Sequence, residues 1–288
     1  MQGLKNPNVF YQIQYMKFYI STIADVIYSW NEETQQETIT YEHLTGPIAK
    51  QYGMGLELTE FCIASNCEHP ETVASFFKEN LNDYTSDIVL HAPYNELMPH
   101  AIEPLLVQAA YKRYDDSYKL CEKYSIPKMI VHANYVPSLY YESWFKERQI
   151  EFWKDFLEKH PGNCIICLEN VMEDHPGLIT DIVKAVDDPR FKMCLDMGHA
   201  NLHPVRTEQW LEECAPYISH LHIHNNNGPV GGNIPSRGDL HNALGNGQLD
   251  YVKLLRRADQ LVSDGLTATI ESIDFLKSAE WLKEKGFI

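Results

Sequence analysis

The chain has 288 residues, 44% of them hydrophobic and 22% charged, which supplies ample core material and excludes a disordered or fibrous chain. Twenty-four Lys and Arg against 40 Asp and Glu give a formal net charge of −16, so the whole molecule has no sequence-independent pull toward phosphate backbones or anionic lipid. No stretch approaches the roughly 18 uninterrupted apolar residues of a membrane span, and residues 1–15 lack a basic leader and an apolar signal core, so a cytoplasmic protein is expected.

In chain order, residues 1–15 read as an N-terminal extension and residues 16–288 as one domain. Eight short apolar, β-favouring runs follow: MKFYIST from Met16, MGLELTE from Met54, IVLHAPY from Ile88, KMIVHAN from Lys128, CIICLEN from Cys164, KMCLDMGH from Lys192, HLHIHNN from His220 and TATIESI from Thr267. Between them lie segments with apolar residues at three- and four-residue spacing. These are PETVASFFKENL from Pro70, Ala101–Tyr124, Trp144–Lys159, Leu178–Val186, QWLEECA after Thr207-Glu208, and Tyr251–Val262. Continuously apolar strands that alternate with helices imply parallel pairing under a helical cover, and eight such units predict an α/β chain folded as a (β/α)8 TIM barrel.

Seven scattered cysteines argue against a disulfide framework, and Cys164-Ile-Ile-Cys167 lies in a buried-strand pattern without the second pair a zinc knuckle needs. Tyr140, Tyr141, Trp144 and Phe145 are expected to pack a helix on the barrel. The Asn- and Gly-rich loop Asn225–Gly247 reads equally as a substrate lid or a surface excursion.

Function in such a barrel sits at the carboxyl ends of the strands. The third run ends in His91, the fourth in His132, the fifth in Glu169 and the sixth in Asp196 followed by His199. The seventh carries His222 and His224, the eighth ends in Glu271, and the loop after the seventh adds Asp239-Leu240-His241. One such histidine is ordinarily structural. Imidazoles and carboxylates at six successive strand ends, however, converge on one ring, and burying them without a cation would cost many kcal/mol.

Mixed nitrogen and oxygen donors point to Zn²⁺, Mn²⁺, Fe²⁺ or Co²⁺ rather than Ca²⁺, with Zn or Mn favoured and one to three ions per chain. Glu169 sits centrally, so one ion is expected at Glu169, Asp196, His222 and Glu271 and another at His91, His132 and Glu169. A third is expected at His199, Asp239 and His241.

This ordered set resembles the xylose-isomerase-like TIM-barrel superfamily, which holds sugar isomerases, epimerases and the endonuclease IV type of abasic-site nuclease. The resemblance runs from Met16 to Glu271. Every zinc-ligand position of the nuclease has a matching residue type here, and Ser236–Gly245 is similar in spacing. Departures are also plain: the nuclease's Asp-Arg-His is Asp239-Leu240-His241, and its Asp-Thr-Cys-His is Asp196-Met197-Gly198-His199. Its Asn-Asp after the strand-seven histidine is not reproduced, and the loop EFCIASNCEHPE lacks its DNA-entering residues. LDMGHAN and HIHNNNG before DLHNALGNG are closer to the sugar-phosphate isomerase/epimerase branch.

The resemblance implies a metal-dependent isomerase or epimerase of a small sugar or sugar phosphate, with Glu169 and Glu271 as the proton-transferring pair. His199, His224, Arg237, Tyr94 and Asn134 would hold substrate oxygens. The alternative it implies is a multinuclear zinc phosphodiesterase, which accounts better for His91, His132, Asp239 and His241; the net charge and the loop departures disfavour nucleic acid.

Overall fold

All eight runs become strands that close on themselves. The computed structural model describes residues 16–42, 44–70, 87–230, 238–262 and 265–288. The expected extension at residues 1–15, most of the helix from Pro70 and part of the Asn225–Gly247 loop lie outside them. The strands are β1 (Lys17–Ser21), β2 (Val26–Asn31), β3 (Gln36–Tyr41), β4 (Gly55–Leu58), β5 (Ile88–His91), β6 (Lys128–His132), β7 (Ile165–Glu169), β8 (Phe191–Asp196), β9 (Ile218–Ile223) and β10 (Thr267–Ile270). The barrel order is β1-β10-β9-β8-β7-β6-β5-β4, with parallel pairing throughout.

The helices are α1 (Thr45–Tyr52), α2 (Ala64–Glu68), α3 (Pro104–Tyr124), α4 (Glu142–Lys159), α5 (Gly177–Val186), α6 (Met197–Ala200), α7 (Thr207–Cys214), α8 (Tyr251–Leu261) and α9 (Phe275–Glu284). No helix among the described residues is long and apolar enough to cross a membrane.

The antiparallel hairpin β2–β3 was not expected. It grows from the end of β1 at the carboxyl end of the barrel strands and is tied back where Asp25 accepts from the Thr45 amide at 2.9 Å and the Thr45 hydroxyl at 2.6 Å.

The two faces of each strand do different work. Ile130, Cys167 and Cys194 form a small apolar plug inside the barrel, whereas Cys164, Ile166, Leu168 and Leu221 join the larger core under the helices. Cys164, just before β7, and Cys167 within it are three apart in extended chain and join opposite apolar layers, which is why the C-x-x-C spacing brings no thiol pair together. All seven cysteines are free. Phe145 and Tyr140 pack as expected, but Tyr141, at the N-terminus of α4, is 86% exposed and packs on nothing.

His100 shows how the helical layer handles a buried base. Tyr140 and Phe145 meet its ring edge-on, and its Nδ1 lies 3.3 Å from Gln149 Nε2. Burial lowers its pKa from 6.5 to about 4. Below pH 6.5 the unfolded chain takes a proton that the folded chain refuses, so stability is lost as the pH falls from about 6.5 to 4 and is unaffected above. The loss amounts to about 3 kcal/mol at most. His100→Leu should flatten that part of the pH dependence of the urea midpoint, and an unchanged slope would show that other groups carry it.

Candidate metal centre at the carboxyl end of the barrel

Strand alternation delivers the donors. In parallel register His132 pairs with Glu169 and Asp196 with His222, so the last inward-facing residue of each strand arrives at one level. The structure brings the three expected groups together: Glu169, Asp196, His222 and Glu271; His91, His132 and Glu169; and His199, Asp239 and His241, the last joined by His224.

Glu169 is the shared centre. Its Oε2 lies 3.3 Å from both His91 Nε2 and His132 Nε2, and its Oε1 lies 3.0 Å from His222 Nδ1. His199 Nδ1 stands 3.3 Å from Asp196 Oδ2, and its Nε2 is 3.3 Å from Asp239 Oδ2. Asn170 at the end of β7 clamps Asp196 by donating to its carbonyl at 3.0 Å and accepting from its amide at 2.9 Å.

The polar atoms of this ring lack ordinary partners. Glu169 Oε2, Asp196 Oδ2, His222 Nδ1, both nitrogens of His224 and Asp239 Oδ1 are buried without a hydrogen bond. Orphans of this kind cost roughly 1–3 kcal/mol each, and a divalent cation satisfies lone pairs that point at one another. The donor set therefore fits a metal.

Electrostatics divide Glu169 from Glu271. Burial pushes Glu169 up, but the imidazoles of His222 and His132 outweigh it and hold the carboxyl well below the usual range. Glu271 is raised to about 7, first by burial and then by its carboxylate neighbours, against the opposing pull of His222.

A carboxylate that the sequence reading passed over supports the ring from below. Glu57, on β4, is fully buried and faces His222 Nε2 at 3.1 and 3.3 Å from its two oxygens. The Thr269 hydroxyl donates to it at 2.6 Å, and His220 Nε2 lies 3.1 Å away. Lys128 Nζ donates to the Thr267 hydroxyl at 2.9 Å, which in turn meets His220 Nδ1. A Glu57 carboxylate that accepts from His222 Nε2 would leave Nδ1, the nitrogen that faces Glu169, as the one to offer a lone pair to an ion. The signal was a glutamate between Leu56 and Leu58 in a buried run, where a charge must have a partner. Glu57→Gln should weaken metal binding about 10- to 100-fold with the fold retained. Competition against a chromophoric chelator reads this, and equal affinity would remove Glu57 from the supporting shell.

Above the ring lies a cavity of about 430 Å³, lined among others by His91, His132, Glu169, His199, His241 and Glu271, with Tyr94, Val171, Leu240 and Ile273 as walls. That size suits a small organic ligand. Tyr94 stacks on His132 with ring centroids 4.3 Å apart. Two residues expected to touch substrate stand elsewhere. Asn134 spends its amide on the Tyr94 and Leu97 carbonyls at 2.9 and 2.8 Å, and so shapes the loop instead of lining the cavity. His224 is fully buried beneath His241 and not part of the lining. Arg237 lies outside the described residues. No Lys or Arg lines the cavity among the described residues.

Barrel, carboxyl-end ring and cavity together define a (β/α)8 protein with clustered candidate metal donors at the carboxyl end of its strands. Residues 54–285 match the xylose isomerase-like TIM barrel family, and the chain belongs to that family. The uncharacterized protein MJ1311 of Methanocaldococcus jannaschii is 26% identical over 258 residues, covering 84% of this chain and 85% of its own length. A D-tagatose 3-epimerase-like protein superposes with a TM-score of 0.68 at 22% identity, over 94% of this chain and 97% of that one. D-allulose 3-epimerase from Methylomonas sp., solved in complex with D-allulose, superposes with a TM-score of 0.67 at 10% identity, over 94% and 97%. At these identities the structural likeness establishes the fold.

Proposed function

We propose that the protein is a divalent-metal-dependent isomerase or epimerase of a small carbohydrate. The observation that carries this reading is the pair of carboxylates, Glu169 and Glu271, lining a small cavity whose floor is a metal-donor ring. The fold shared with a D-tagatose 3-epimerase-like protein and a D-allulose 3-epimerase supports it. Glu169, Asp196, His222 and Glu271 would hold the ion, with Zn²⁺ or Mn²⁺ matching the donor chemistry. When bound, such an ion supplies Lewis-acid polarisation of a substrate carbonyl and the adjoining hydroxyl.

The chain's own residues then move the proton. One of Glu169 and Glu271 accepts it from the carbon beside the carbonyl, and the other returns it from the opposite face for epimerisation, or at the neighbouring carbon for aldose–ketose exchange. Tyr94, Val171 and Ile273 shield the reacting carbon from water, while His199 and Arg237 hold substrate oxygens. The phosphodiesterase reading keeps one specific support, the additional donor groups at His91/His132 and at His199/Asp239/His241. A phosphate there would have metals alone to hold it, since the described lining offers no Lys or Arg.

The test is incubation with candidate ketoses in deuterated water, beside an abasic-site duplex. Solvent deuterium at the carbon next to the carbonyl, without strand nicking, is the expected result. Nicking without exchange would replace this reading with the phosphodiesterase.

A further inference from the structure

Three branched aliphatic side chains line the cavity yet leave much of their surface in water: Ile23 is 44% exposed, Leu240 41% and Ile273 78%. Their backbones follow strands that are neighbours in the barrel. Ile23 comes just after β1, Ile273 just after β10, and Leu240 sits on the loop after β9, so the three form one apolar arc on a single side of the mouth. The arc is held in place. The Ile273 amide donates to the His241 carbonyl at 2.9 Å and His241 Nδ1 lies 2.8 Å from the Glu271 carbonyl, which pins the segment carrying Leu240 to the end of β10.

Floor and arc differ in chemistry. The floor presents carboxylates and imidazoles to the polar end of a ligand, whereas the arc offers carbon alone. Asp239, beside Leu240, adds a carboxylate to the lining, and the described lining holds no Lys or Arg. A phosphate at this side of the mouth would therefore face aliphatic carbon and negative charge. Sugar hydroxyls there would trade water for groups that cannot pair with them. An apolar group laid across the arc removes carbon surface from water on both partners, the gain that a fixed apolar patch continuous with a ligand cavity can supply.

We propose that the carbohydrate this site takes carries an alkyl or aryl substituent at the end remote from its carbonyl, and that Ile23, Leu240 and Ile273 bind that substituent. The inference rests on the carbohydrate reading of the cavity. It also completes the shielding by Ile273: a side chain so far exposed excludes water from the reacting carbon only once something apolar lies across it.

Calorimetry on zinc-loaded protein tests this with three ketoses that differ only in the group on O6: 6-O-methyl-D-fructose, 6-O-benzyl-D-fructose and D-fructose 6-phosphate. Benzyl alcohol supplies the substituent alone. The expected result is that the benzyl ether binds at least about tenfold tighter than the methyl ether, with a negative heat-capacity change, and that the phosphate binds no tighter than the methyl ether. Leu240→Ser and Ile23→Ser should each lower the benzyl-to-methyl affinity ratio by about threefold or more. The ratio is taken within each variant, so a general loss of binding does not imitate the effect. Equal binding of the two ethers, or a phosphate that binds tightest, overturns the apolar substituent and leaves the carbohydrate reading standing. A ratio unchanged in both variants overturns the role of the arc. Benzyl alcohol binding as tightly as the benzyl ether would uphold the arc and remove the carbohydrate reading, and no binding by any of the four removes both. A dimer in sedimentation that Leu240→Ser dissociates would place a second copy of the chain on the arc and overturn the proposal.

Discussion

Glu169→Gln is expected to strip the metal from both groups that share this side chain and to lower turnover by about 10³-fold or more. The two oxygens of Glu169 face four imidazoles: Oε2 those of His91 and His132, Oε1 those of His222 and, at 3.7 Å, His199. An amide of nearly the same volume keeps the packing but turns one acceptor into a donor, which points an N–H at nitrogens or at a cation. A lost metal-derived stabilisation of about 4 kcal/mol corresponds to that thousandfold. Folding should survive, because the substitution also removes a buried charge whose desolvation costs several kcal/mol. Elemental analysis of protein purified without chelator, beside a thermal melt, checks both halves. A variant that keeps the full metal complement would show that Glu169 is not the shared ligand.

The barrel was legible because parallel strands under a helical cover must be apolar on both faces, and each run ended where the chain meets solvent or the site. The hairpin β2–β3 was not, because its alternation in VIYSWN and QETITY breaks the strand–helix rhythm on which the reading was built. The inward register at strand ends also pointed to the donor ring, since polar side chains closing several apolar strands have one place to go.

Position along a strand was not enough for the residues just outside the ring. His224 keeps the two-residue spacing from His222, which suggests another step toward the opening, yet β9 ends at Ile223 and the chain turns. Tyr251 then holds both the amide and the carbonyl of His224 through its hydroxyl, at 3.1 and 2.7 Å, and fixes the ring below His241. Asn134 has a left-handed backbone at φ 57°, the conformation of a turn residue, and its amide is taken by the Tyr94 and Leu97 carbonyls instead of facing the cavity. In both cases a long-range contact decided the side chain's direction, and spacing carries no information about that.

Adding Zn²⁺ or Mn²⁺ to chelator-stripped protein is expected to raise the melting temperature by roughly 10 °C. A ligand that binds only the folded state stabilises it by about 4 kcal/mol when it is present at a thousand times its dissociation constant, and a chain of this size gains about 2–4 °C per kcal/mol. The donors reside at or just beyond the ends of β5 through β10, on α6 and on the loop after β9, so the groups meet only when the barrel is closed. The unfolded chain holds them far apart in sequence and binds weakly, which keeps the increment close to its full value. The increment should shrink as the pH falls, because imidazoles must give up their protons before they can bind the ion. Scanning calorimetry of stripped and reloaded protein at several pH values measures it. A stripped protein that melts at the same temperature with and without metal would mean that the buried carboxylates and imidazoles are satisfied by one another, and the centre proposed at the mouth of the barrel would have to be abandoned.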